Sequence, residues 1–109
     1  MTTRVPQPRV PQAKITDYLL NPDHEEGGPK SAFFRAFGFS AERVEEMAMA
    51  LVDHPERKPA ETARAGPWGA KYVVRCSVQT PDGRNPCILT VWMLPPGEES
   101  ARPLTAYPA

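Results

Sequence analysis

The polar stretch NPDHEEGGPK contains the two side chains best suited to proton transfer and phosphate binding, His24 and Lys30. An imidazole exchanges a proton near neutral pH, and a lysine beside a helix N-terminus suits an oxyanion or a phosphate. We therefore expect His24 and Lys30 to act together. The alternative is a solvated loop histidine and a surface lysine. The acidic neighbours of His24 favour that alternative, because they repel phosphate.

The C-terminal stretch CILTVWMLPPGEESARPLTAYPA pairs a threonine with an aromatic residue in each of two apolar runs. The pairs are Thr90 with Trp92 and Thr105 with Tyr107. Strand alternation can bring all four onto one face, where hydroxyls orient a phosphate and an aromatic ring stacks on a base. The alternative is that threonine and aromatic residues are simply good strand formers.

Two cations of the preceding strand extend this expectation. Lys71 and Arg75 share the face opposite Tyr72 when the strand alternates. If their face is the open one, they can clamp a phosphate. Otherwise they are solubilising charges.

The elements that must position these residues follow from the hydrophobic periodicity, which is helical in the first half of the chain and alternating in the second. Gly28 and Pro29 begin one helix, Gly38 ends it and Ser40 caps the next. The sequence predicts an α+β domain, with two or three N-terminal helices packed on one face of a three- to four-stranded antiparallel meander sheet. The predicted strands are residues 60–66, 69–80, 87–94 and 101–108. Residues 1–13 are predicted to be a flexible proline-rich arm, and residues 14–109 a single domain.

Four further residues receive structural interpretations. His54 ends a helix before a proline, where a cation favours the helix C-terminus. Trp68, in GPWG, is expected to plug the core or anchor a loop. Cys76 and Cys87 are expected to be reduced residues of the core.

Composition limits the class of function. Thirteen basic and thirteen acidic residues cancel, so the strongly basic footprint of many nucleic-acid-binding proteins is missing. No run has the apolar length of a membrane span, and the first ten residues lack the apolar core of a signal peptide. We therefore expect a cytoplasmic protein that does not bind a membrane. No C-x-x-C or H-x-x-x-H spacing occurs, so neither a metal nor a cofactor is expected.

Three segments resemble a family of small bacterial proteins that is classified as a domain of unknown function. The segments are NPDHEEGGPKSAFFRAFGF, AKYVVRCSVQTPDGRNPCILTVWMLPPGE and LTAYP. The family motifs are H-x-x-G-x-x-K-x-x-F-F, T-P-D-G-R-x-x-x-(I/V)-x-T-V-W and T-x-Y-P, and the match covers about residues 14–108. By position the motifs fall on His24, Gly27 or Gly28, Lys30, Phe33, Phe34, Arg84, Thr90, Trp92, Thr105 and Tyr107.

The order of helices and meander is also similar to the toxin ribonucleases of the barnase–EndoU–colicin–RelE superfamily. Several of these toxins carry K-x-x-F-F … R-T-x-W … P-R-L-x-T-x-Y strings. This sequence departs from the pattern at Arg102-Pro103, where the family favours Pro-Arg, and at Ala32, where some relatives have an arginine. The second departure removes a cation and weakens the ribonuclease interpretation.

The resemblance implies metal-independent RNA cleavage, which needs a base, an acid and groups that stabilise the charged phosphorane. His24 would be the base or the acid. The catalytic candidates are His24, Lys30, Thr105 and Tyr107. The substrate-binding candidates are Lys71, Arg75, Arg84, Thr90 and Trp92, although Arg84 in PDGRN is most simply a residue of the turn tip.

Two other classes of function remain open. The first is a non-catalytic interaction module, such as a protein-binding domain of a toxin–antitoxin pair or one associated with a phage or a toxin. The zero net charge and the acidic helix support this alternative. A small-molecule site on the open sheet face is a third possibility. RNA and a cognate inhibitor or partner protein are therefore both expected as candidate partners, and the oligomeric state is left open.

Overall fold

The computed structural model describes residues 3–109, so the first two residues of the predicted arm lie outside the described range. The helices precede a four-stranded antiparallel sheet, and the α+β prediction is confirmed. The elements are α1 (Gln12–Lys14), a π-helical turn (Ile15–Leu19), α2 (Gly27–Ala36), α3 (Val44–Asp53), β1 (Thr62–Gly66), β2 (Gly69–Ser77), β3 (Cys87–Leu94) and β4 (Arg102–Pro108). Short 3₁₀ turns, Ala41–Arg43 and His54–Glu56, flank α3.

The predicted helix boundaries of α2 and α3 have visible causes. Gly38 adopts φ +102°, the left-handed conformation that ends a helix and that glycine tolerates best. The Ser40 side chain accepts a hydrogen bond from the Glu42 backbone N–H at 3.1 Å and so caps the next helical turn. The capping predictions for Gly38 and Ser40 are confirmed, whereas α2 begins at Gly27, before the predicted start at Gly28 and Pro29.

The sheet is a meander in the order β1-β2-β3-β4, so each strand pairs with its neighbours in sequence. Val74 lies opposite Thr90, and Thr90 lies opposite Ala106. All three are 0% exposed, so this row belongs to the face that packs against the helices. The main core joins that face to the helices and consists of Ile15, Leu19, Leu20, Phe34, Phe39, Met47, Leu51, Val78, Ile88 and Ala106.

The proline-rich N-terminal segment makes specific contacts with the rest of the chain. Val5 is 6% exposed and packs with Trp92 in a second, smaller core cluster. The backbone of Ala101 donates to Pro6 and accepts from Arg9, both at 2.9 Å. The division into a flexible arm and a domain at residue 13 stays a prediction.

Neither Trp68 nor Cys87 lies in the core. Trp68 is 47% exposed, and its indole packs against Gly66, where a Cβ would approach Nε1 to 2.7 Å. Trp68 is therefore not a core plug but a surface residue that covers the β1–β2 turn, which agrees with the loop-anchor alternative. Cys87 is exposed at the start of β3, whereas Cys76 is half-buried and desolvation raises the pKa of its thiol. Both thiols are free within residues 3–109.

Candidate functional site

The four residues predicted to share one strand face lie on two opposite faces. Thr105 is paired with Val91, whereas Thr90 is paired with Ala106. Because neighbouring residues of a strand alternate between faces, Thr105 and Tyr107 face away from Thr90. The single-face prediction is wrong because the pairing between β3 and β4 puts their two threonines in opposite phase.

Thr90 and Trp92 belong to a buried polar chain and not to an accessible surface. Trp92 Nε1 donates to Thr90 Oγ1 at 2.8 Å, and Thr90 Oγ1 lies 3.0 Å from His54 Nδ1. His54 Nε2 lies 2.9 Å from the carbonyl oxygen of Cys76, which can only accept. The Nε2 proton therefore goes to Cys76, and Nδ1 accepts from the Thr90 hydroxyl. Each polar side-chain atom of His54, Thr90 and Trp92 therefore has a hydrogen-bond partner.

His54 is therefore a neutral core residue, and the interpretation as a helix-capping cation is wrong. It is 0% exposed. Desolvation lowers the pKa of its imidazole below the ordinary value of 6.5, although hydrogen bonds to backbone carbonyls oppose this shift. The substrate-binding roles predicted for Thr90 and Trp92 have no surface on which to operate.

Three of the four predicted catalytic residues meet around the ring of Tyr18. The Tyr18 hydroxyl lies 3.1 Å from Thr105 Oγ1, across 87 positions of sequence. The His24 ring meets Tyr18 edge to face, with centroids 4.9 Å apart. The ammonium groups of Lys14 and Lys30 lie 4.8 and 5.3 Å from the centre of the same ring. We call these five residues the Tyr18 cluster.

The π-helical turn sets the position of Tyr18. Leu20 N donates to the Ile15 carbonyl at 2.7 Å, which closes the wider turn. Ile15 and Leu19 are 0% exposed and anchor the turn in the core, while Tyr18 is half-buried at its rim. Isolated π-turns occur frequently at functional sites.

Gly27 allows α2 to begin directly against this turn. A Cβ at Gly27 would overlap the carbonyl group of Tyr18 and lie 2.9 Å from its ring. Only glycine therefore fits at the first position of α2 while Tyr18 stays where it is. The contact brings His24, in the loop that leads into α2, beside the Tyr18 ring.

His24 binds the first turn of α2 through one ring nitrogen. Its Nδ1 lies 3.0 Å from the backbone N of Glu26 and 2.9 Å from that of Gly27, and both N–H groups donate to it. A ring nitrogen that accepts carries no proton, so the ring proton lies on Nε2. In this form His24 can donate from Nε2 but cannot act there as a base. The predicted role of His24 as general base therefore requires a different arrangement from the one observed.

A shallow pocket of about 590 Å³ opens beside the Tyr18 cluster at the β4 edge of the sheet. Its lining includes the carboxylates of Asp17 and Glu26 and the exposed side chain of Leu104. The Lys30 ammonium donates to the Glu26 carbonyl at 3.1 Å. The pocket lining therefore combines Lys14 and the Tyr18 and His24 side chains with two carboxylates, whereas Lys30 and Thr105 belong to the Tyr18 cluster but not to the lining. Across residues 3–109, no group of three His, Cys, Asp or Glu side chains is placed to hold a metal ion.

Tyr107 and Arg75 lie on the sheet face that continues from Thr105. Tyr107 pairs with Leu89, and Leu89 pairs with Arg75, so these three form one row across the sheet. Tyr107 is 37% exposed. Arg75 forms an exposed ion pair with Glu61 at 3.3 Å. Tyr107 is therefore not part of the pocket lining but stands on a face that leads away from it.

Lys71 and Arg84 lie outside the Tyr18 pocket. Lys71 is exposed on the face of Arg75 and lies opposite Met93. The Arg84 guanidinium donates to Asp82 and to the carbonyl of Ala36, both at 2.6 Å, and lies 4.3 Å from the centre of the Phe37 ring. Arg84 therefore ties the β2–β3 turn to the end of α2.

Tyr18 is the central residue that sequence reasoning missed. It occurs in KITDYLL, where its spacing from Ile15 and Leu19 indicates one apolar helical stripe. The available signal was its hydroxyl, since a buried tyrosine needs a polar partner. Its partner, Thr105, lies at the far end of the chain.

The comparisons with known proteins agree with part of the resemblance described above. The family model described as "Domain of unknown function (DUF6883)" matches residues 3–109. No curated protein and no solved structure matches the chain. Among the helices of residues 3–109, none combines the length and apolar character needed to cross a bilayer.

Proposed function

Because the chain belongs to the DUF6883 family, a family of unknown function, we propose from the site itself that it is a metal-independent ribonuclease of the bacterial toxin type, acting on cytoplasmic RNA. The observation that carries the proposal is the convergence of His24, Lys30 and Thr105 on Tyr18. These residues come from a loop, a helix and an edge strand.

The donors of the Tyr18 cluster bind the phosphodiester. His24 donates from Nε2, the paired hydroxyls of Tyr18 and Thr105 orient a non-bridging oxygen, and the ammonium groups of Lys14 and Lys30 supply positive charge. Donors that are already in place where charge develops are the largest single contribution to many enzymatic rate accelerations. In this proposal His24 stabilises the transition state, in place of the role as base or acid that the sequence predicts.

A carboxylate of the pocket takes the role of base. Glu26 lines the pocket beside His24, and its carboxylate removes the proton from the 2′-hydroxyl of the substrate. The 2′-oxygen attacks phosphorus, and the bond from phosphorus to the 5′-oxygen breaks. The Lys30 ammonium returns a proton to that leaving oxygen. The products are a 2′,3′-cyclic phosphate and a free 5′-hydroxyl.

The open sheet face binds the neighbouring nucleotides. Tyr107 offers an exposed ring for stacking, and stacking is tolerant of base identity. Arg75 and Lys71 lie on the same face, where they can contact the phosphates that flank the scissile bond. This track begins at Thr105, which belongs both to the face and to the Tyr18 cluster.

The test is cleavage of a single-stranded RNA oligonucleotide by the full chain in the presence of EDTA. We expect cleavage with a 2′,3′-cyclic phosphate product, and none of a substrate that lacks the 2′-hydroxyl at the scissile nucleotide. Lys30→Gln should lose about 10²-fold or more in rate, whereas the matched control Lys58→Gln should not. Absence of cleavage by the unaltered chain would overturn the proposal, as would full activity of Lys30→Gln.

A second candidate function, a protein interaction module, is favoured by a different surface. Met49 of α3 is 73% exposed between two pockets. This surface is independent of the Tyr18 cluster, so the two functions do not exclude one another.

A further inference from the structure

The outward side of α3 carries an apolar strip between carboxylates. Met49, at 73% exposed, lines two pockets, one of about 680 Å³ and one of about 320 Å³. Ala50 and Val52 each add apolar surface to one of these pockets. The carboxylates of Glu46, Asp53 and Glu56 flank the strip. We call these six residues the Met49 surface.

The core does not require this apolar exposure. Met47 and Leu51 of the same helix are buried and already attach α3 to the core. Met49 lies on the opposite side of the helix, where soluble proteins usually place polar residues. Methionine is flexible and polarisable, and it is frequent at surfaces that adapt to a partner.

The charged side chains that line the two pockets are all acidic, and Arg4 Nη1 donates beside them to the backbone carbonyl of Glu56 at 2.7 Å. Within the described chain, neither pocket is lined by a lysine or an arginine, although the whole sequence is balanced at thirteen basic and thirteen acidic residues. Asp53 pairs with Arg57 at 3.4 Å, but both side chains are substantially exposed. Such a surface pair is weak and can be exchanged for another cation.

The signs of these charges select among possible occupants. RNA and anionic membranes carry negative charge, so the carboxylates repel them. A symmetric dimer through this surface would place its carboxylates against those of the second copy, and facing like charges oppose association. A basic segment meets neither obstacle.

We propose that the Met49 surface docks a basic amphipathic segment of another protein, with an apolar side chain seated beside Met49 and lysine or arginine on either side of it. The apolar anchor fills one of the two pockets, and the cations pair with Glu46 and Asp53 or Glu56. The docking does not depend on the ribonuclease activity, because it uses no residue of the Tyr18 cluster.

The experiment is selection from a displayed library of random dodecapeptides on the immobilised full chain. Enriched peptides are expected to carry lysine or arginine around a leucine, phenylalanine or tryptophan. Binding of the synthetic winner should weaken about 10-fold in Glu46→Lys and in Met49→Ser, and should change less than about 2-fold in the control Glu99→Lys. All three positions are exposed, so melting curves confirm that the variants are folded.

Each other outcome of this selection counts against the proposal. Enrichment of acidic or uncharged peptides, or of none, overturns it. So does sedimentation that shows a dimer of the unaltered chain which Met49→Ser abolishes, because the occupant is then a second copy. Binding that Tyr18→Phe removes would place the peptide on the Tyr18 cluster and would also overturn it.

Discussion

The two histidines show how hydrogen-bond partners decide the role of an ionisable side chain. His24 and His54 each accept a hydrogen bond at Nδ1 and keep their proton on Nε2. His54 directs that proton to the carbonyl of Cys76, while the His24 side chain lines the pocket. Both His24 and Lys30 lie against the ring of Tyr18, and their joint role stays a prediction, whereas the environment predicted for His54 is wrong. The partners of His24 are local, whereas those of His54 come from β2 and β3, which the sequence around His54 does not reveal.

The capping bonds of His24 contribute to stability. We expect His24→Ala to lower the free energy of unfolding by about 1 kcal/mol, because the N–H groups of Glu26 and Gly27 lose their acceptor. His24→Asn keeps a short acceptor and should recover most of the loss. Urea titrations of the three proteins at neutral pH measure the difference. Equal stability of His24→Ala and the unaltered chain would show that the observed bonds are not maintained in solution.

His54 should make the fold sensitive to mild acid. Its pKa is lowered in the folded state, so the unfolded state binds more protons below the ordinary value of 6.5. The contribution of neutral His54 to the free energy of unfolding is therefore fully present above about pH 6.5. It decreases as the pH falls below this value, by up to about 1.4 kcal/mol per pH unit. In His54→Gln, whose amide can donate and accept, urea titrations between pH 7.5 and 5.5 should show a smaller decrease. Identical decreases would contradict this assignment.

Among the helices and strands, those with a regular hydrophobic pattern are predicted from the sequence, whereas the local irregularities are not. The caps at Gly38 and Ser40 follow from residue type, and they were predicted. The π-turn at Ile15–Leu19 inserts one residue into helical spacing, which an apolar pattern this short does not reveal. The register shift between Val91 and Trp92 leaves one extra residue in β4, and alternation within β4 does not reveal it. Which face a residue of β4 occupies depends on the pairing with β3 as well as on its own alternation.

The close contact between the π-turn and α2 gives a prediction at this scale. Gly27→Ala should destabilise the fold by about 1–3 kcal/mol, because its methyl group overlaps the backbone of Tyr18. The control Ala32→Ser, exposed on the same helix, should stay within about 0.5 kcal/mol. Thermal or urea unfolding provides the comparison. A stable Gly27→Ala variant would mean that the π-turn can move away without cost.

Across the whole molecule, a balanced net charge conceals two surfaces of different character. The Met49 surface is acidic, while the Tyr18 cluster and the face of Arg75 hold cations beside hydroxyl and aromatic groups. The balanced net charge of the whole sequence is unfavourable to RNA binding, but it averages over both surfaces. Their separation depends on the fold, because Lys14, Lys30 and Arg75 belong to different elements.

The small number of cations around the Tyr18 cluster and on the face of Arg75 predicts a modest salt dependence of RNA binding. If about three cations contact phosphates, the logarithm of the affinity for a single strand should fall with the logarithm of salt concentration with a slope of about −2. Lys30→Gln should reduce the magnitude of that slope by about 0.7, and Lys58→Gln should leave it unchanged. Fluorescence anisotropy at several salt concentrations measures both slopes. A slope near zero would show that phosphates are not bound.

The most direct test of the proposed ribonuclease site targets the paired hydroxyls of Tyr18 and Thr105, which come from the two ends of the chain. The measurement is the RNA cleavage rate of the unaltered chain, of Tyr18→Phe, of Thr105→Val and of the double variant. Each single variant should lose about 10- to 100-fold, and the double variant should lose little more, because the two hydroxyls act as a unit. Full activity in Tyr18→Phe, or a loss in the double variant equal to the product of the two single losses, would contradict a joint role of the two hydroxyls in cleavage.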